Sequence, residues 1–238
     1  VLRATLHRSS LERLPREVIV VRAQVQTLRE PPRGRESRAE TRVPESIKAC
    51  TPMRIAAATI TLTMALEPPQ NAQRFLIARH GETNFNAEGR IQGTLDTSVL
   101  TARGVRQAEE LGCYIADEEL ERIAKVWVSP MTRARQTLAC IEEACGTLLP
   151  EAIVRDDLRE IELHTWEGKL KSEVMDTGWA RWKADPASFI MDDGARPLPD
   201  LWDRAVGNWA ALRRDAPPCS LVVSHGALGR CMVAAALG

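Results

Sequence analysis

No apolar stretch in these 238 residues reaches the length of a membrane span; the longest, residues 55–66, is interrupted by threonines. The six cysteines (Cys50, Cys113, Cys140, Cys145, Cys219, Cys231) form no C-x-x-C pair and have no histidine at zinc spacing. That argues against a zinc ribbon or a disulfide framework and predicts reduced, buried thiols. Net charge is missing too: 32 Lys and Arg offset 32 Asp and Glu, so no global field favours nucleic acid or an anionic membrane. Without a G-x-S-x-G, neither Ser129 nor Ser224 reads as a nucleophile-elbow serine. There is also no G-x-x-x-x-G-K-[ST] loop and no internal repeat.

The zero net charge hides an asymmetry. Residues 1–72 carry eleven Arg and one Lys against seven Glu, a balance of +5, so the remainder carries −5. Arg, Glu and Pro recur there without a sustained period, and Pro31-Pro32-Arg33-Gly34-Arg35 is a breaker cluster. Residues 1–72 are therefore expected to be a poorly structured basic extension. The chain opens on Val, and Met53 and Met64 are alternative starts. From Met53, a basic residue, an apolar stretch and a small-residue exit resemble a targeting segment, which makes the extension a candidate organelle address. Pro68-Pro69 marks the border of a domain over 73–238. That domain is expected to be cut short at its C-terminus, because the chain stops straight after a helix-like segment.

From Arg74 onward, strand-like and helix-like segments alternate, the pattern of βαβ units and a mostly parallel sheet. Strands are predicted at Phe75–Ala78, Lys125–Val128, Glu151–Arg155 and Leu221–Ser224. A helix from about Thr101 has one apolar face made by Val105, Ala108, Leu111 and Ile115. The next has Met131, Ala134, Leu138, Ile141 and Cys145 at three- and four-residue spacing. Further helices are predicted at Lys169–Ala184, Asp200–Arg213 and Ala227–Leu237. Trp166 to Trp209 is a Trp-rich stretch, read mainly as core or as a cap over the site, with Trp166 and Trp182 the candidates for substrate contact.

Four strand ends carry reactive groups. The first ends in Arg79-His80-Gly81, and the second in Ser129-Pro130-Met131-Thr132-Arg133. The third leads into Leu158-Arg159-Glu160, and the fourth ends Ser224-His225-Gly226. The carboxyl ends of parallel strands share one edge of a sheet, where ligands bind. Arg and His buried there cost desolvation unless an anion meets them. A cation in the first turn of a helix, as Arg133 would be, also makes sense beside a bound anion. Two His, two Arg and one Glu suit phosphoryl transfer without a metal. Guanidinium forks (Arg79, Arg133) match phosphoryl oxygens, and neutral His80 attacks phosphorus. His225 donates to an equatorial oxygen as charge develops. Glu160 protonates the leaving alkoxide, then acts as base on water.

"RHGETNFNAEGRIQG", "SPMTRARQT", "LRE" and "VSHG" resemble, in order and spacing, the four blocks of the histidine phosphatase superfamily, which includes cofactor-dependent phosphoglycerate mutases. The resemblance covers Arg74 to the end and implies a phosphoglycerate mutase-like α/β fold of three layers, α/β/α. It implies His80 as nucleophile, Arg79, Arg133 and His225 as phosphate pocket, and Glu160 as proton donor. Asn86 and Gln92 match positions that contact phosphate or substrate. No metal or cofactor is implied, and the partner is a small phosphorylated substrate, not nucleic acid or membrane; oligomeric state stays open. "LREIELHTWEG", "GTLDTSVLT" and the Trp182–Trp209 region are similar to plant 2-carboxy-D-arabinitol-1-phosphatases, plastid enzymes. That similarity would make residues 1–72 a plastid transit segment; otherwise the expected location is cytoplasmic.

A mutase-type transfer to an acceptor and a non-catalytic phosphate-binding domain remain as alternatives. The Glu-Arg-His-Tyr-type run of mutases is missing after Glu160, which speaks against the first. None of the five catalytic positions is broken, which speaks against the second. Arg135 is expected to face solvent, His164 to sit structurally at the pocket rim, His7 to be inert, and Glu82 to orient arginines.

Overall fold

The structure, a computed structural model, describes residues 18–23, 73–146 and 149–237. Alternation along three strands explains how the layers form. In β2 (Gln73–Arg79), Phe75 and Ile77 face one side and Leu76 and Ala78 the other. In β3 (Lys125–Val128), Trp127 opposes Val126 and Val128; in β5 (Cys219–Ser224), Val222 opposes Leu221 and Val223. Both faces are apolar, so both must be covered.

One face is covered by α2 (Ala102–Glu118) and α3 (Thr132–Ala144), through Leu111, Ile115, Ala134, Leu138 and Ile141. The other is covered by α5 (Pro197–Asp215) and α6 (Gly226–Leu237), through Leu201, Trp209, Leu212, Leu228 and Met232. The result is an α/β/α sandwich. All strand pairs are parallel, in the order β1-β2-β5-β3-β4, where β1 is Val18–Ala23 and β4 is Ala152–Val154. At the β4 edge, Ile153 and Val154 are exposed. The remainder of 1–72, with Cys50 and the candidate address, lies outside the described residues.

Local signals account for the helix starts. Thr101 caps α2, its side chain accepting from the Gly104 N–H. Short α1 (Asn84–Glu88) opens on a reciprocal capping box between Thr83 and Asn86. Pro197 sits in the first turn of α5, which begins three residues before the predicted start. Cys113, Cys140, Cys145, Cys219 and Cys231 are free thiols.

One expected element has a different form. In place of a continuous helix over Lys169–Ala184, a π-helical turn at Met175–Trp179 runs into a short α4, Ala180–Ala184. Gly178 adopts φ 109°, off the α-helical path, and a side chain there would meet the Phe189 ring at 3.1 Å. Aromatic contacts take over from helix periodicity here: Trp166 packs on Trp179 at 5.7 Å and on Phe189 at 5.3 Å, and Trp182 on Phe189 at 5.7 Å.

Candidate active site

Register brings the reactive groups together. Arg79 in β2 pairs with Ser224 in β5, the His80 N–H donates to the Ser224 carbonyl at 3.0 Å, and the Ser129 N–H to the Val223 carbonyl at 3.0 Å. Arg79-His80, Ser129 and Ser224-His225 therefore stand side by side at the carboxyl edge. A Cβ on Gly226 would lie 3.2 Å from Arg79 Nε, so the Arg79 side chain lies close against bare backbone.

His80 is 5% exposed. Its Nδ1–H donates to the Gly81 carbonyl at 2.7 Å, because a carbonyl can only accept, and Nε2 keeps its lone pair. Burial first, then the charges of Arg79 and Arg133, lower its pKa from 6.5 to about 3. The ring is a neutral nucleophile or base near neutrality. His225 stands edge-on to it, ring centroids 5.3 Å apart, and is also held well below the usual histidine pKa by burial.

These two histidines set a sign for stability. The unfolded chain takes up protons below about pH 6.5, whereas native His80 stays neutral down to about 3. Over that window the unfolded state binds more protons, so stability falls as pH falls and is flat above the unfolded value. Each buried histidine contributes a slope of up to about 1.4 kcal/mol per pH unit. Urea midpoints across this window are expected to fall less steeply in His225→Asn than in wild type; equal slopes would count against the burial argument.

Glu160 reaches the site from the loop after β4. Its carboxylate accepts from the Ile161 N–H at 3.0 Å and from the Ala227 and Leu228 N–H groups at 3.1 Å, at the N-terminus of α6 beside His225. Arg133 is fully buried. Its Nη1 donates to Leu95 O at 3.0 Å and Nη2 to Gly93 O at 2.7 Å, while Nε has no partner among the described residues. One N–H of each Nη thus holds the 93–98 loop, whose buried carbonyls need donors. Burial opposes the Arg133 charge, and Glu160, Asp96 and Glu167 support it.

Gln92 and Asn86 are engaged locally. Gln92 Oε1 accepts from Thr83 Oγ1 at 3.0 Å and Ser98 Oγ at 2.8 Å, and Asn86 Oδ1 from the Thr83 N–H at 3.2 Å. Glu82 pairs with Arg103 at 3.2 Å, and Arg135 is exposed. His164, at φ 44°, meets Asp193 at 3.3 Å. Trp166 is buried in the aromatic cluster.

Sequence reasoning missed three supports. Arg204 on α5 threads under the Glu160 segment, with Nη1 donating to Asp157 O and Arg159 O and Nη2 to Glu160 O at 2.7 Å. Thr137 accepts from the Gly81 N–H at 3.0 Å. Ser129 Oγ lies 2.7 Å from His225 Nε2. The first two engage backbone atoms and leave no side-chain pattern to read. Ser129 directly follows a strand, which was the one available signal.

The histidine phosphatase superfamily (branch 1) profile matches residues 75–238. The chain is 36% identical over 177 residues to the 2-carboxy-D-arabinitol-1-phosphatase of Triticum aestivum, covering 73% of this chain and 34% of that protein. It thus spans about a third of the length of the plant relatives it matches. Phosphoserine phosphatase 1 of Hydrogenobacter thermophilus is 32% identical over 169 residues, covering 69% of this chain and 76% of that protein. Bacillus stearothermophilus YhfR superposes with a TM-score of 0.58 at 31% identity, covering 67% of this chain and 77% of that one. With its parallel sheet, paired histidines and matching profile, the chain belongs to the histidine phosphatase superfamily and has its phosphoglycerate mutase-like fold.

Proposed function

We propose that this protein is a metal-independent phosphomonoesterase that hydrolyses a small anionic sugar phosphate, of the 2-carboxy-D-arabinitol 1-phosphate type, through a phosphorylated His80. The observation that carries this reading is the His80 ring: buried, neutral, its Nδ1 tied to Gly81, its Nε2 lone pair available beside Arg79 and Arg133. Nε2 attacks phosphorus, the bond from phosphorus to the ester oxygen breaks, and protonated Glu160 gives its proton to the departing alkoxide. Glu160 then takes a proton from water, whose oxygen attacks the phosphohistidine, releasing inorganic phosphate and freeing His80. The similarity to the wheat 2-carboxy-D-arabinitol-1-phosphatase supports the substrate type.

The full chain is expected to release phosphate from 2-carboxyarabinitol 1-phosphate in excess chelator, and to rank it above 3-phosphoglycerate, fructose bisphosphates and an aryl phosphate. Acid-labile, base-stable radiolabel on the protein would mark the phosphohistidine. Loss of activity in chelator would sink the metal-independent reading, and isomerisation of 3-phosphoglycerate without phosphate release would replace it with a mutase. Folded protein silent on the whole panel would favour a binding-only domain. Plastid delivery by residues 1–72 is a companion proposal, tested by fusing that segment to a fluorescent protein in leaf cells; a cytosolic signal rejects it.

A further inference from the structure

A neutral imidazole has one ring proton, and which nitrogen holds it decides whether the ring offers a donor or a lone pair to a ligand. His225 is 2% exposed and Ser129 is fully buried, so neither faces bulk solvent. Ser129 Oγ has two partners: the Met131 N–H, which donates to it at 3.4 Å, and His225 Nε2 at 2.7 Å. The backbone N–H can only donate, so His225 Nε2 is the one group placed to accept the hydroxyl proton. His225 Nδ1 is buried without a partner among the described residues.

Counting the two arrangements decides between them. With the proton on Nδ1, Nε2 accepts from Ser129 and every group is satisfied except one ring N–H. With the proton on Nε2, the ring donates to Oγ, the serine proton is left without an acceptor, and Nδ1 becomes a buried lone pair. The second arrangement leaves two polar groups unsatisfied instead of one, and unmade buried hydrogen bonds are costly. It would also turn a lone pair, not a donor, towards any anion. An unsatisfied N–H is useful where an oxyanion arrives, and an unsatisfied lone pair is not.

We infer that Ser129 is a positioning residue: its hydroxyl donates to His225 Nε2 and so fixes the ring proton on Nδ1, which donates to the transferring phosphoryl group. The part that concerns phosphoryl oxygens rests on the His80 reading above; the tautomer does not. Burial also keeps the ring neutral, so a choice of tautomer exists to be fixed.

Full-length protein labelled with 15N-histidine separates these. Long-range proton–nitrogen spectra are expected to put the His225 proton on Nδ1 in wild type, with that signal shifting when orthovanadate is added. Ser129→Ala should move proton density to Nε2 and lower kcat by on the order of 10²-fold with little change in KM. Ser129→Thr, which keeps the hydroxyl, should restore both. A wild-type proton on Nε2 overturns the assignment, and this measurement stands even if Ser129→Ala fails to fold. So does a folded Ser129→Ala that keeps the Nδ1 proton and loses less than about twofold in kcat. Wild type that releases no phosphate yet shows the Nδ1 proton supports the tautomer and counts against the His80 reading alone.

Discussion

Replacing His80 with alanine is expected to cut phosphate release by on the order of 10⁴-fold or more, the scale on which removal of a covalent nucleophile acts. Nothing nearby can substitute. The other imidazole at the site, His225, has its Nε2 engaged with Ser129, and Glu160 is held by the backbone of α6. The radiolabelled protein intermediate should vanish with the activity. Near-UV circular dichroism identical to wild type would separate lost chemistry from lost structure. Activity within about tenfold of wild type in that folded variant would remove His80 from the nucleophile's role and leave it as a phosphate ligand.

Gly104→Ala is expected to be the most damaging single methyl group in the described fold. The loop after His80 and the first turn of α2 meet backbone to backbone. A Cβ on Gly104 would lie 2.0 Å from the Glu82 carbonyl oxygen, and one on Gly81 would lie 2.4 Å from the Gly104 oxygen. Neither neighbour is a side chain that can swing aside. The loop would have to move, carrying His80 with it and straining the Gly81 N–H bond to Thr137. A loss of about 3 kcal/mol or more in unfolding free energy follows, as for other overpacked sites. Gly207→Ala is the matched control. It lies within α5, a Cβ there would meet nothing within 4 Å, and it should gain up to about 1 kcal/mol from helix propensity. Urea titration of both variants reads the difference; equal midpoints would mean that the two backbones are less closely apposed than described.

What was legible in the sequence depended on periodicity and on chain-local chemistry. The apolar faces at Leu111–Ile115 and Ala134–Ile141 are where three- and four-residue spacing puts them. Arg79, His80 and His225 could be read because a cation or imidazole closing a buried strand has few structural explanations. The 169–184 segment could not, because Gly178 and a ring cluster centred on Trp166 and Phe189 override helix propensity there. Arg204 was invisible for a different reason. Its three acceptors are main-chain carbonyls more than forty residues upstream, which no composition encodes. Nor could spacing reveal that Arg133 gives an N–H of each Nη to the 93–98 loop.

The grip of the α6 N-terminus on Glu160 bears on how such a protein can diversify. His225 and the amides of Ala227 and Leu228 lie within four consecutive residues, so the imidazole proposed to donate to the phosphoryl oxygens and the carboxylate proposed to protonate the leaving group share one mount. A heritable change that slides this helix to suit a bulkier alcohol also misaligns the imidazole. Two adjustments that selection would profit from making separately are mechanically joined. Novelty in what is hydrolysed is therefore channelled towards chain segments off that mount, where a substitution leaves the reacting geometry as its ancestor had it.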